Sequence, residues 1–73
     1  MTPERINPRK LLLSKWTARQ PRQREKHFLV IELHRDEEGN VLAVELQAVL
    51  TRRSERIDWH QLEDGEHWQM GWI

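Results

Sequence analysis

Cysteine is absent from the 73 residues, which excludes disulfide staples and thiolate metal ligands. Tyrosine is absent as well, phenylalanine occurs once, and no apolar run approaches the roughly 18 residues of a membrane helix. The opening MTPERINPRK has none of the apolar stretch of a signal peptide, so a cytoplasmic location is expected. Net charge is lacking too, since twelve Lys/Arg balance twelve Asp/Glu. Ser14 and Ser54 have neither a G-x-S-x-G context nor a His–acid pair beside them, and with no thiol available no enzyme is expected.

What the chain has instead is tryptophan. Trp16, Trp59, Trp68 and Trp72 stand in a sequence so short that it buries only about 60–65% of its unfolded surface. Each indole can remove on the order of 200 Å² from water, so tryptophan is expected to serve as the large core residue. Charge is unevenly spread behind the zero total. Residues 1–26 carry eight Lys/Arg against Glu4 and Glu25, while residues 27–73 carry four Arg against ten acids. Either the halves neutralise each other across the fold, or the first is a basic face that meets a polyanion.

Residues 1–10, with Pro3 and Pro8, read as a flexible lead-in to a single β domain over 11–73. Asn7-Pro8 suits the start of a short helical turn through Leu13, and Leu11-Leu12-Leu13 equally suits a strand over 12–18. Ala18 to Arg24, holding Pro21, reads as a connection. Lys26 to Arg35 is the clearest strand, with Leu29, Ile31 and Leu33 on one face and Phe28 and Val30 on the other. Asp36 to Asn40 has hairpin chemistry. Val41 to Thr51 follows as its partner, with Leu42, Val44, Leu46, Ala48 and Leu50 expected inward. A turn at 52–55, a short strand at 56–59 and a helical turn capped by Asp58 come next. His67 to Ile73 closes the chain as a strand, with Trp68, Met70 and Trp72 on one face. The expected fold is all-β: a small antiparallel SH3-like, partly open barrel of about five short strands. A three- to four-stranded meander completed by dimerisation is the alternative.

Several pieces carry a likeness to known sequences: Asn7 to Ala18 with SKWTA, the REKHF of Arg24 to Phe28, Asp58-Trp59, and the closing W-x-x-G-W of Trp68 to Trp72. Together they resemble the short tryptophan-rich family of uncharacterised bacterial proteins, over nearly the whole chain. The resemblance implies no activity, ligand or cofactor.

Three binding chemistries are left to weigh. A metal site has His27, His34, His60 and His67 to draw on, with Asp58 and Glu66 near the last two, but no spacing matches a ligand motif and none is expected. No cofactor is expected either. Nucleic acid, RNA or single-stranded, would need cations interleaved with aromatics on an open sheet. Lys15, Trp16, Arg22, Arg24, Lys26, Arg52 and Arg53 are the candidate surface, against the alternative that the indoles are packing and the arginines stack over them. Protein interaction or self-association would instead use apolar residues facing away from the core, here Val41, Ala43 and Val49 with Phe28 and Val30. A non-catalytic protein-interaction or structural module is the first expectation for function, and nucleic-acid binding the second.

Overall fold

The computed structural model describes residues 6–73. The first half of the expected lead-in therefore lies outside the described residues. A 3-10 turn at Pro8–Lys10 precedes β1 (Lys15–Arg22), β2 (Glu25–Arg35), β3 (Val41–Ala48) and β4 (Ser54–Asp58). A second 3-10 turn, Trp59–Glu63, then leads to β5 (Trp68–Met70). The strands make one antiparallel sheet in the order β4-β3-β2-β1-β5. Five short strands with a helical turn before the last are thus present. The sheet is not closed into a barrel, because β4 and β5 are its two edges and do not pair with one another. Extents of 37 × 32 × 15 Å fit one sheet with a thin covering layer.

Both readings of the segment before β1 are partly realised. Asn7 caps the first turn by accepting from the Arg9 amide at 3.0 Å, with proline at the first position where a missing N–H costs nothing. Leu11 then drops into the core, and β1 begins only at Lys15. Ser14 links the two. Its hydroxyl donates to the Leu11 carbonyl at 2.5 Å and accepts from the Trp16 indole at 2.8 Å, so a fully buried tryptophan keeps a partner for its only polar atom.

The expected connection over Ala18–Arg24 is instead the second half of β1 and a two-residue turn, Gln23-Arg24, with φ of 56° and 63°. Pro21 is tolerated because β5 pairs only with Trp16 to Ala18, which leaves the rest of β1 an edge on that side. The β1–β2 register is also irregular between Thr17 and Arg22.

The expected faces of β2 are reversed in its first half. Phe28 and Val30 are core, while Ile31 is exposed and Leu29 half-buried. A bulge between Val30 and Glu32 then shifts the alternation by one and returns Leu33 to the core side, where it pairs with Val44. In β3 the inward set is Val44, Leu46 and Ala48 as expected. The strand stops at Ala48, however, where the Arg52 amide donates back to the Ala48 carbonyl at 2.8 Å and turns the chain. Leu50 therefore falls in the turn and is exposed. At the other end of β3 a register shift between the His34–Ala43 and Arg35–Val41 pairs leaves Leu42 exposed and buries Val41 and Ala43, both expected outside. The hairpin at Asp36–Asn40 forms as expected, with Gly39 at φ 86°. Leu62, carried by the second 3-10 turn, helps cover the core.

Candidate nucleic-acid interface

Antiparallel pairing puts the β1–β2 turn and the β3–β4 turn at the same end of the sheet. The Val49 amide donates to the His27 carbonyl at 2.9 Å across the two turns. Five of the seven candidate binding residues, Arg22, Arg24, Lys26, Arg52 and Arg53, converge there. Arg53 is engaged in holding the turns together. Its guanidinium donates to the Glu25 carboxylate at 2.7 Å and to Glu55 at 2.8 Å, and the Thr51 hydroxyl donates to Glu25 as well. Glu25 is almost inaccessible, and the hydrogen bonds from Arg53 and then Thr51 hold its carboxyl below the ordinary glutamate range. The same contacts push the Arg53 guanidinium upward, so its charge is permanent and already balanced. Arg22, Arg24, Lys26 and Arg52 are exposed and make no ion pair among the described residues. Arg24 and Arg52 lie in the left-handed backbone region, at φ 63° and 60°, where a side chain costs energy that glycine would not.

The other two candidates are elsewhere. Trp16, a candidate stacking platform with core packing as the alternative, is 2% exposed, so it is core and has no face to offer a base. Lys15 is on the sheet face away from the core, with Nζ 4.8 Å above the Trp72 ring.

A cleft of about 380 Å³ opens on the core side of the same end. Gln20 and Arg22 line it from β1, Gln61 and Asp64 from the second 3-10 turn and its exit, and His67 and Trp68 from the start of β5. His67 Nδ1 lies 2.6 Å from an Asp64 carboxylate oxygen. That hydrogen bond, followed by one from the Glu66 amide, draws the Asp64 carboxyl below its ordinary range. With Nδ1 so occupied, the ring turns Nε2 away from Asp64. Apart from Arg22, the sequence did not point to these residues as one site. The alternation of residues 18, 20 and 22 was the available signal, hidden while this stretch read as a loop.

The closing W-x-x-G-W grips the sheet from both faces. Trp68 meets the Phe28 ring edge-on in the core, with centroids 5.1 Å apart. Gly71, at φ 87°, turns the chain over the sheet edge. On the far face the Trp72 indole donates to the Phe28 carbonyl at 2.9 Å, and Thr17 donates to the Gly71 carbonyl at 2.6 Å. The last strand, expected over His67 to Ile73 with Trp68, Met70 and Trp72 on one face, ends at Met70, which is exposed, and the turn at Gly71 puts the two indoles on opposite faces.

SKWTA, REKHF, Asp58-Trp59 and W-x-x-G-W all fall within residues 14–73, the stretch matched by the family described as tryptophan-rich protein (DUF2389). The chain belongs to this family. No curated protein and no solved structure matches it. In this DUF2389 chain each motif has a structural task. Ser14 and Trp16 close the entry to β1, and Glu25 ties two turns. His27 Nε2 meets the Ile73 carbonyl at 2.8 Å, and Asp58 caps the second 3-10 turn through the His60 amide at 2.9 Å. The histidines that a metal site would have to draw on are spread apart, with His60 against Asp58 and His67 against Asp64. Among the described residues no three metal-ligating side chains gather.

Proposed function

We propose that this DUF2389 chain is a non-catalytic, cytoplasmic binding module for single-stranded nucleic acid, engaged at the end of the sheet that carries the β1–β2 and β3–β4 turns. The observation that carries it is the convergence there of Arg22, Arg24, Lys26 and Arg52, with no ion pair among the described residues, beside a cleft walled by Trp68 and His67. Phosphates meet the cations and bases meet the ring faces, the combination that sequence-tolerant single-strand binding uses. Of the acids, Asp36, Glu37 and Glu38 sit in the hairpin at the opposite end of the sheet, Glu25 and Glu55 at this end are taken up by Arg53, and Asp64 lines the cleft. The strand order, with a 3-10 turn before the last strand, supports an SH3-like, partly open barrel as the parent architecture.

A protein-interaction or structural role, including self-association, is the second reading. The apolar surface expected for it is largely internal, since Phe28, Val30, Val41 and Ala43 are buried and only Val49 is exposed. Nine large apolar side chains are exposed among the described residues, with Leu50, Leu13, Ile73, Met70 and Leu42 the most open, and these favour it.

The deciding experiment is a titration with mixed-sequence single-stranded RNA and DNA, followed by tryptophan fluorescence at several salt concentrations. Four phosphate contacts give a slope of about −3 in log affinity against log salt, at about 0.7 per contact. Arg22→Ala together with Arg24→Ala lowers that slope by about 1.4. Absence of binding at low salt refutes nucleic-acid binding and leaves the apolar outer side chains, where Val49→Asp is the informative change.

A further inference from the structure

We infer that the cleft is a single-nucleotide subsite, which takes one unpaired nucleobase between Gln20, Gln61 and the Trp68–His67 wall, and that base's phosphate on Arg22. The inference rests on the nucleic-acid reading above and says how the strand is read there.

Three properties of the cleft select this ligand. Its volume of about 380 Å³ is at the small end of ligand pockets, with room for one unit of a strand. Two carboxamides, Gln20 on β1 and Gln61 on the second 3-10 turn, line it from different elements, and neither side chain is hydrogen-bonded among the described residues. A carboxamide pairs one acceptor with two donors, which complements the adjacent donor and acceptor of a base edge and finds no partner on an aliphatic chain; the aromatic wall is what favours a flat base over a sugar. The wall is aromatic: Trp68 is half-buried and already fixed edge-on by Phe28, and His67 is oriented by Asp64. Rings held from behind stack on a base without first losing rotational freedom.

Charge narrows the class further. Among the described residues Arg22 is the one Lys or Arg that lines the cleft, and Asp64 is an anion in it. One positive charge suits a single phosphodiester, and the carboxylate repels a ligand with more negative charge, such as a triphosphate. Arg24, at the neighbouring turn, and Lys26 and Arg52 continue the positive surface outward, where the flanking phosphates of a strand would run.

The test uses the intact protein and two-dimensional nitrogen–proton NMR, with adenosine, cytidine, guanosine and uridine 5′-monophosphates as probes and ribose 5-phosphate as the control. The expected result is a saturable shift of the Trp68 indole and of the Gln20 and Gln61 side-chain amides with at least one nucleotide, and none with ribose 5-phosphate. Gln20→Ala and Gln61→Ala, both at exposed positions that leave the core untouched, then weaken that nucleotide about tenfold while leaving the salt slope for oligonucleotides unchanged. Equal shifts with ribose 5-phosphate overturn the inference, because the cleft would then recognise phosphate alone. Oligonucleotide binding with no nucleotide-induced shift in the cleft also overturns it, while the wider proposal of nucleic-acid binding stands. A nucleotide shift without oligonucleotide binding does the reverse.

Discussion

Trp72 is the test of whether the closing motif is a structural grip. The residue is 41% exposed, so about three-fifths of a side chain of roughly 200 Å² is covered by the sheet. At about 25 cal/mol per Å² that burial is worth about 3 kcal/mol, an upper figure because the unfolded chain already hides some of it. The indole also donates to the Phe28 carbonyl at 2.9 Å, worth about 1 kcal/mol, and receives the Lys15 ammonium over its ring, worth about 0.5 kcal/mol at an exposed site. Trp72→Phe keeps most of the area and loses the hydrogen bond, so it costs about 1 kcal/mol and lowers Tm by about 6 °C. Trp72→Ala loses all three contributions and costs about 3.5 kcal/mol once the area contribution is discounted to about 2 kcal/mol, a fall in Tm of about 20 °C. Thermal unfolding followed by far-ultraviolet circular dichroism measures both. If the two variants melt together, covered area contributes nothing and the account of the grip is wrong. If neither melts below the parent, the segment after β5 does not hold the sheet at all.

Acid should act partly through Glu25. Its carboxyl is lowered in the folded state, so its contribution to stability is complete above the ordinary glutamate value of 4.5 and is lost as pH falls through the lower, folded value. Glu25→Gln should therefore flatten the decline of Tm below pH 4.5 without abolishing it, because Asp36, Asp58 and Asp64 are lowered too; an unchanged acid limb in a pH series of melts counts against the Glu25–Arg53 tie. Arg24→Gly relieves a left-handed backbone position and should raise stability by about 0.5–1 kcal/mol while weakening nucleic-acid binding, and a loss in urea denaturation would refute the strain. Leu46→Ala, at a position 1% exposed, should cost about 3 kcal/mol by the same denaturation, whereas a cost under 1 kcal/mol would show that the core face is misassigned.

The sequence carried the strand count, the hairpin at Asp36–Asn40 and the Asp58 cap, because turn chemistry and capping are local. It misled over β2 because Phe28 to Ile31 is continuously apolar, and alternation alone cannot choose its buried face. The bulge after Val30 then hides the change of phase from any period-two count. Pro21 was a fair breaker signal, overridden because β5 is only three residues long and leaves that part of β1 at an edge. The candidate cations were legible as a cluster because they flank two turns, and antiparallel pairing brings those turns together. Trp16 could not be told from a surface indole, since its burial depends on packing and on Ser14. The cleft was not legible, as it is assembled from β1, the second 3-10 turn and β5, three segments far apart in the chain.

The place of β1 between β2 and β5 has a kinetic consequence. Contacts within β2, β3 and β4 are made by neighbours along the chain, whereas pairing Trp16 with Met70 closes a loop that spans most of it. Loop-closure entropy delays such contacts, so β5 should dock after the rate-limiting step, and Trp72→Phe should speed unfolding while leaving refolding unchanged in stopped-flow measurements. The cleft has β5 as one wall. Competence to bind would then arrive with the last event of folding, and the lifetime of the binding-competent state would be set by how long the W-x-x-G-W segment stays in place.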